Sequence, residues 1–281
     1  VSALASMLGF PAHASKPYAR LKLRLGRTSL HDFKIRFLDQ LSPAQLAKSL
    51  ELDPNVEEVG ADPQGSFIVF REVLVEPLPD AIVRLGSWYY HDLGHTELRE
   101  VRAMELFHLW VGDLDYGKIN HTELAIKQGG DQLELFALQS DLGTSLGGSI
   151  AETPGDFPWD LVVDPGARPV TFNTRTEQSD PLRGKVTEAD ARWAARLIAR
   201  LSRAQIEQAV QAGDWPHPID RLVVEKLCER RNQLVKAFGL EPAVALLPAD
   251  RHLSTGDGVV VDGVLVRSHV DGSVADFGNE N

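Results

Sequence analysis

Trp110-Val111-Gly112-Asp113-Leu114-Asp115-Tyr116-Gly117-Lys118-Ile119-Asn120 crowds three acids or amides, two glycines and a lysine directly behind an apolar run. The run in front of it reads as a helix. Leu98, Val101, Met104 or Leu106, Phe107, Leu109 and Trp110 recur at a spacing wide enough for burial on most sides, and Gly112 supplies the stop. Thr96-Glu97-Leu98-Arg99-Glu100 predicts the start, with Thr96 as the hydroxyl N-cap. Because Arg99 occupies the place of a capping-box Glu or Gln, only the cap and the acidic first turn signal it. The acidic loop is thus expected where a buried helix ends.

Behind the loop, Glu123-Leu124-Ala125-Ile126-Lys127 and Leu133-Glu134-Leu135-Phe136-Ala137-Leu138 alternate as two strands, joined by Gln128-Gly129-Gly130-Asp131 with the chemistry of a hairpin turn. A second acidic loop, Ser140-Asp141-Leu142-Gly143-Thr144, follows. Antiparallel pairing brings the two outer ends of a hairpin together, so Asp115, Asn120 and Asp141 are expected to converge. Paired side-chain oxygens suit a hard divalent cation such as magnesium, which keeps waters and takes phosphate oxygens as further ligands. A third carboxylate beside them can orient or deprotonate a hydroxyl.

Asp115 and Asn120 have the Asp-x-x-x-x-Asn spacing of the protein-kinase catalytic loop, and Asp141-Leu142-Gly143 after a hairpin resembles the metal-binding Asp-Phe-Gly motif. The stretch is also similar to a group of bacterial kinase-like proteins with Trp-x-x-x-x-Asp-x-x-x-x-Asn followed by Asp-Leu-Gly-x-x-x-Gly, here Trp110 to Asn120 and Asp141 to Gly147. The resemblance implies an α+β, two-lobed protein-kinase-like fold with an incomplete N-lobe and a mainly helical C-lobe. It implies a catalytic Asp115 that orients the acceptor hydroxyl, with Asn120 and Asp141 holding magnesium on ATP and Gly143 beside the nucleotide. Departures stand next to it. Asp113-Leu114 replaces the usual His-Arg, Gly117 takes the place of the Lys two residues after the catalytic Asp, with Lys118 one place later, and Asp113 is a rival for the catalytic role. Asp276-Phe277-Gly278 near the C-terminus reads as a decoy, with no room for an activation segment after it.

The 281 residues are 43% hydrophobic and 25% charged, enough for one large or two small packed domains. A formal net charge of −11 argues against non-specific nucleic-acid binding by the whole surface. The single cysteine, Cys228, excludes an internal disulfide and a cysteine-built zinc site, and His91, His95, His108 and His121 are too spread for a ligand set. No stretch reaches the roughly 18 apolar residues of a membrane span. Composition leaves the compartment open.

Three regions are expected: 1–85 as a partial N-lobe and hinge, 86–240 as the helical catalytic lobe, and 241–281 as a β extension. Residues 1–9 read as the last turns of a helix closed by Gly9, Leu21–Leu25 as a strand, Asp32–Leu38 as strand or helix, Ser42–Leu46 as a short helix, and Phe67–Glu76 as a strand stopped by Pro77. The glycine-rich loop and the phosphate-pairing Lys of a kinase would lie before Val1, so the chain reads as a fragment; the other reading is a degenerate kinase fold, and Lys34 as a substitute Lys is weaker than an exposed strand-edge Lys. Trp88-Tyr89-Tyr90-His91 reads as packing between lobes rather than base stacking. Gly143–Ser149 is expected as a mobile activation-segment analogue and 152–185 as an irregular connection packed by Phe157, Trp159 and Phe172. Thr187 caps a helix with Arg192, Arg196, Arg200 and Arg203 in a stripe, Ser202 opens a second helix, and Ile219–Phe238 is a third, ended by Gly239. Two short strands with an Asp-Gly turn follow in 256–266.

An ATP- and magnesium-dependent phosphotransferase with an unidentified hydroxyl acceptor is therefore the expected function. A pseudokinase or scaffold is the alternative, with the Arg stripe holding a partner. Adenylyl transfer on the same fold is a further one, as is a magnesium- or calcium-dependent protein that uses the same acids without ATP.

Overall fold

The computed structural model describes residues 1–13, 15–37, 55–76, 82–88, 94–113, 122–129, 132–140, 142–147, 155–173, 185–215, 217, 219–251, 254–255, 258–261 and 264–267. The chain is mixed α and β and divides by its internal contacts into two compact units, Ala14–Pro77 and the remainder, Val1–His13 with Leu78–Asn281.

The smaller unit is built on three antiparallel strands, β1 (Lys16–Arg24), β2 (Val56–Asp62) and β3 (Gly65–Val75), in the order β1-β3-β2, with one helix, α2 (Leu30–Phe37). Ile68 and Leu25 form its buried centre, flanked by Leu23, Leu30, Phe33, Val56 and Phe70. The segment read as strand or helix is a helix because Ser29 caps it. Its hydroxyl accepts the Asp32 amide at 3.0 Å and donates to the Asp32 carboxylate at 2.7 Å. β2 escaped the sequence reading, since Val-Glu-Glu-Val-Gly-Ala-Asp alternates poorly. What holds it is cross-strand chemistry: Arg20 pairs with Glu57, Arg24 and Lys22 pair with Asp62, and the Phe67 ring lies where a Cβ on Gly60 would stand, at 2.7 Å.

In the larger unit, α1 (Ser2–Met7) ends at Gly9, which takes the left-handed φ of 87°. The chain then runs back so that Ala12 bridges Gln139 in parallel, and His13 and Pro11 exchange backbone hydrogen bonds with Gln139. β4 (Ile82–Ser87), β5 (Thr122–Gly129) and β6 (Gln132–Gln139) form a second antiparallel sheet in that order, and the predicted hairpin is β5–β6. By contacts, residues 1–13 and β4 thus belong with the larger unit, whereas the sequence reading grouped them with 1–85; their ladder partners are β5 and β6.

The helical core is formed by α3 (Arg99–Val111), α4 (Glu188–Ala199), α5 (Arg203–Gln211) and α6 (Ile219–Ala237), joined by α1. α4 and α5 carry complete capping boxes, Thr187 with Asp190 and Ser202 with Gln205, at the two starts that the sequence predicts. α3 starts differently. Thr96 lies in a short 3-10 turn, His95–Glu97, and Leu98 is the N-cap without a side-chain bond. The Thr96 hydroxyl instead accepts a hydrogen bond from Lys185, while Arg102 reaches back to the Thr96 and Glu97 carbonyls.

Between β6 and α4, the irregular connection contains a small ladder, β7 (Val162–Asp164) with β8 (Thr171–Phe172). Phe157 is buried in the helical core and Phe172 packs against it, as the sequence predicts, whereas Trp159 faces the Lys226 and Arg251 cations. The C-terminal β extension is three short antiparallel strands, β9 (Ser254–Thr255), β10 (Gly258–Val261) and β11 (Val264–Arg267), one more than the sequence signalled. Residues 42–46, where a short helix was expected, and Asp276-Phe277-Gly278 lie outside the described residues.

Candidate active site

α3 is buried along nearly its whole length, including Trp110, Phe107 and Leu106. Gly112 ends it in the left-handed region at φ 64° and ψ 42°. The Gly112 amide donates to the Leu109 carbonyl at 3.2 Å and the Asp113 amide to the His108 carbonyl at 2.9 Å. Together these two bonds make a Schellman end. Gly112 is required twice over, because a Cβ there would also stand 2.6 Å from the Phe157 ring.

Asp113, the rival for the catalytic role, is sealed at this end. Its side chain has 0% exposure, and Oδ2 lies 2.9 Å from Nδ1 of His108, itself 4% exposed. A carboxylate so enclosed is a structural partner of His108, and the sequence reading, which set His108 among scattered histidines, missed the pair. A spacing of five residues across a glycine stop was the available signal.

The last carbonyls of α3 are met from α6. Arg230, 1% exposed, donates to the carbonyls of Trp110 at 2.9 Å, Pro158 at 2.9 Å and Leu109, and its guanidinium lies over the Phe157 ring. Burial pulls this guanidinium down to about 9, so it stays charged at neutral pH. A cation at a helix C-terminus meets the negative end of the helix dipole as well as its unpaired carbonyls. The neighbouring Arg231 does the same for α4 through the Ala199 carbonyl, and Lys226 holds the Gly155 carbonyl at 2.8 Å. On the same helix burial raises the Cys228 thiol to about 12, which leaves it inert as a nucleophile.

The hairpin side is fixed by its register: Thr122 stands opposite Gln139, and both are buried. Gln139 Nε2 donates to Thr122 Oγ1 at 3.4 Å. His13, Arg84 and Glu123 cluster at this end. Arg84 donates to His13 Nδ1 at 3.1 Å and stands 3.3 Å from Glu123, so three separate stretches converge on the root of the hairpin. The opposite face of the sheet carries a row of Val83, Ile126 and Leu135, whose outer members are 58% and 61% exposed.

Asp115, Asn120 and Asp141 lie outside the described residues; what is described on either side of them is the end of α3 at Asp113 and the Thr122–Gln139 pair. Gly143 is exposed within Leu142–Gly147, two short 3-10 turns kinked at Ser145 and Leu146. Of Gly143–Ser149, the expected activation-segment analogue, residues 143–147 are described: Ser145 and Leu146 are buried, as is Leu142 before them, and Leu146 holds a left-handed φ of 60° in the helical core.

The other expectations resolve as follows. Trp88 packs on Val101 and donates to His95 at 2.8 Å, while Tyr89, Tyr90 and His91 lie outside the described residues. Arg203 leaves the predicted stripe to pair with the buried Glu225 and with Glu207, whereas Arg196 and Arg200 are exposed. The side chain of Lys34 is outside the described residues, and its backbone is helical rather than strand-edge. Among the described residues no group of three or more His, Cys, Asp or Glu side chains is gathered as a metal site, and no helix is long and apolar enough to cross a membrane. Comparison with protein families, with curated proteins and with solved structures finds no match.

Proposed function

We propose that this chain belongs to an ATP- and magnesium-dependent phosphotransferase of two-lobed, kinase-like build. The observation that carries the reading is the β5–β6 register. With Thr122 opposite Gln139, Asn120 and Asp141 are each two residues beyond a paired position, on the same end of one hairpin. Asp115 is two residues beyond the Schellman end of α3. An amide oxygen and one carboxylate form an oxygen-only donor set of single negative charge, which suits magnesium carrying phosphate oxygens and water.

In this reading, Asp115 orients the acceptor hydroxyl toward the γ-phosphate and accepts its proton as the oxygen bonds to the γ-phosphorus and the bond to the β–γ bridging oxygen breaks, releasing ADP. Asn120 and Asp141 hold the cation, whose chemistry is neutralisation of charge on the phosphates. The rest is positioning, supplied by the fixed ends of α3 and of the hairpin. The exposed apolar row Val83–Ile126–Leu135 offers a flat surface for the adenine ring. The acceptor is a hydroxyl compound of a class that these residues do not specify.

Incubation of the chain with magnesium and ATP labelled at either the α- or the γ-phosphate tests the reading. Transfer of the γ label, abolished in Asp115→Asn, is the expected result. Transfer of the α label means adenylyl transfer on the same site. The scaffold reading is favoured by the exposed Arg196 and Arg200, for which no partner is found among the described residues. Absence of label transfer and of nucleotide binding supports it.

A further inference from the structure

The chain has 40 acids against 29 lysines and arginines, yet one row of cations on its surface is left unmatched. Arg192, Arg196 and Arg200 follow one another four residues apart on α4 and its C-cap. Such a spacing sets them about 6 Å apart along one side of the helix. Arg196 and Arg200 are exposed and Arg192 is half-buried. Among the described residues none of the three guanidiniums has an ion pair or a side-chain hydrogen bond. Acids close in sequence or on the neighbouring helices are engaged elsewhere. Glu188, one turn before Arg192, pairs with Arg168 at 3.2 Å; Asp190 is held by Arg102; Glu207 and Glu225 both go to Arg203. The helix dipole favours a cation in the last turn, which accounts for Arg196 and Arg200 but not for Arg192 in mid-helix. Trp193 and Leu197 lie next to the row in the sequence of the same helix. Both are half-buried, packed against the helical core with part of each surface left to solvent. Arginine and tryptophan together are what anchors protein interfaces, where lysine and glutamate are depleted.

We propose that this face of α4 docks an acidic segment of another protein, with Arg192, Arg196 and Arg200 taking its carboxylates and Trp193 and Leu197 its apolar side chains. Charge complementarity selects the occupant. A guanidinium donates two parallel hydrogen bonds to one carboxylate. Carboxylates four residues apart on a helix, or two apart on an extended chain, repeat at about 6 to 7 Å, which is the spacing of the row. A second copy docking through the same face would set arginine against arginine, so a two-fold contact of this face with itself is excluded. A nucleic acid, a far denser anion, meets the repulsion of a chain with net charge −11 and gives Leu197 no apolar counterpart. The proposal does not depend on the nucleotide reading, because no residue of the row belongs to the hairpin or to the acidic stretches beside it.

The test follows the fluorescence anisotropy of a labelled peptide, with Glu at every fourth position and Leu beside each, titrated with the full chain at low and at high salt. Three further probes are the same peptide with Gln for Glu, the same peptide with Ser for Leu, and a single-stranded oligonucleotide of equal charge. The variants are Arg196→Gln/Arg200→Gln, Arg196→Lys/Arg200→Lys and, on α6, the exposed Lys236→Gln. Since neither exposed arginine has a partner to lose, both double variants are expected to keep the parent's thermal midpoint. The proposal predicts that the Glu peptide binds, more weakly at high salt, and that the Gln peptide does not. The Gln double variant weakens binding about tenfold or more. The Lys double variant, which keeps the charge and loses the fork, weakens it about threefold or more, and Lys236→Gln stays within about twofold. Replacing Leu by Ser in the peptide weakens it about threefold or more. A parent chain that does not bind the Glu peptide, or a Gln double variant that binds it like the parent, overturns the proposal. Tighter binding of the oligonucleotide than of the peptide overturns it too, in favour of a nucleic-acid surface.

Discussion

Arg230 satisfies carbonyls from two segments with one buried guanidinium, and no methionine or leucine replaces that. Arg230→Met keeps the volume but leaves the Leu109, Trp110 and Pro158 carbonyls without this donor in an apolar surrounding. The expected loss is about 3 kcal/mol or more, read from the urea midpoint. Asp190 is the second such residue. Burial alone would raise its carboxyl, but hydrogen bonds from Arg102 at 2.7 Å and from the Thr187 hydroxyl and amide outweigh it and hold it down to about 2. A carboxyl lower in the folded than in the unfolded chain stabilises above the unfolded value, and that stability is lost as pH falls toward 2. The contribution at neutral pH is on the order of 2 kcal/mol. Urea titrations of the parent and of Asp190→Asn are therefore expected to diverge at pH 6 and to converge between pH 4 and 2. Neither residue was legible as such: an Arg in an amphipathic helix reads as a surface charge until the carbonyls that it serves are known.

At the scale of elements, helix ends with their own chemistry were readable and those completed from afar were not. Thr187, Ser202, Gly112 and Gly239 announce α4, α5 and the ends of α3 and α6 within a few residues of chain. α3 begins at Leu98 without a side-chain cap, since the Thr96 hydroxyl is taken by Lys185 and the Thr96 and Glu97 carbonyls by Arg102 of the helix itself, so Thr96 pointed two residues too early. β5 and β6 alternate clearly; β2 does not, and it exists through partners on β1 and β3. The Gly112 end is the most consequential. Gly112→Ala combines a left-handed φ with a Cβ 2.6 Å from the Phe157 ring. It is expected to cost more than about 1 kcal/mol and to speed exchange of the Asp113 amide before that of the α3 centre. An alanine variant with the parent's midpoint and exchange pattern would show that the turn tolerates another geometry.

For the whole molecule, the buried helix and the hairpin after it were legible because each has a local signature, while the acidic stretches at Asp115 and Asp141 lie outside the described residues. The described residues supply the supports: the α3 end, braced by Arg230, and the hairpin root, joined by Pro11, His13 and Arg84. The division into units was not legible, because residues 11–13 join β6 through a backbone bridge that no side-chain pattern announces. The His108–Asp113 pair escaped for the same reason, since its meaning depends on the geometry of the turn between. The central claim is that the hairpin end binds magnesium-bound ATP. Its most direct test is the thermal midpoint of the chain and of Asp141→Ala, titrated with ATP with and without magnesium. Saturation at about 100 times the dissociation constant adds about 2.7 kcal/mol of stability. The account predicts an upward shift that requires magnesium and vanishes in Asp141→Ala; no shift in the parent, or an equal shift in the variant, contradicts it.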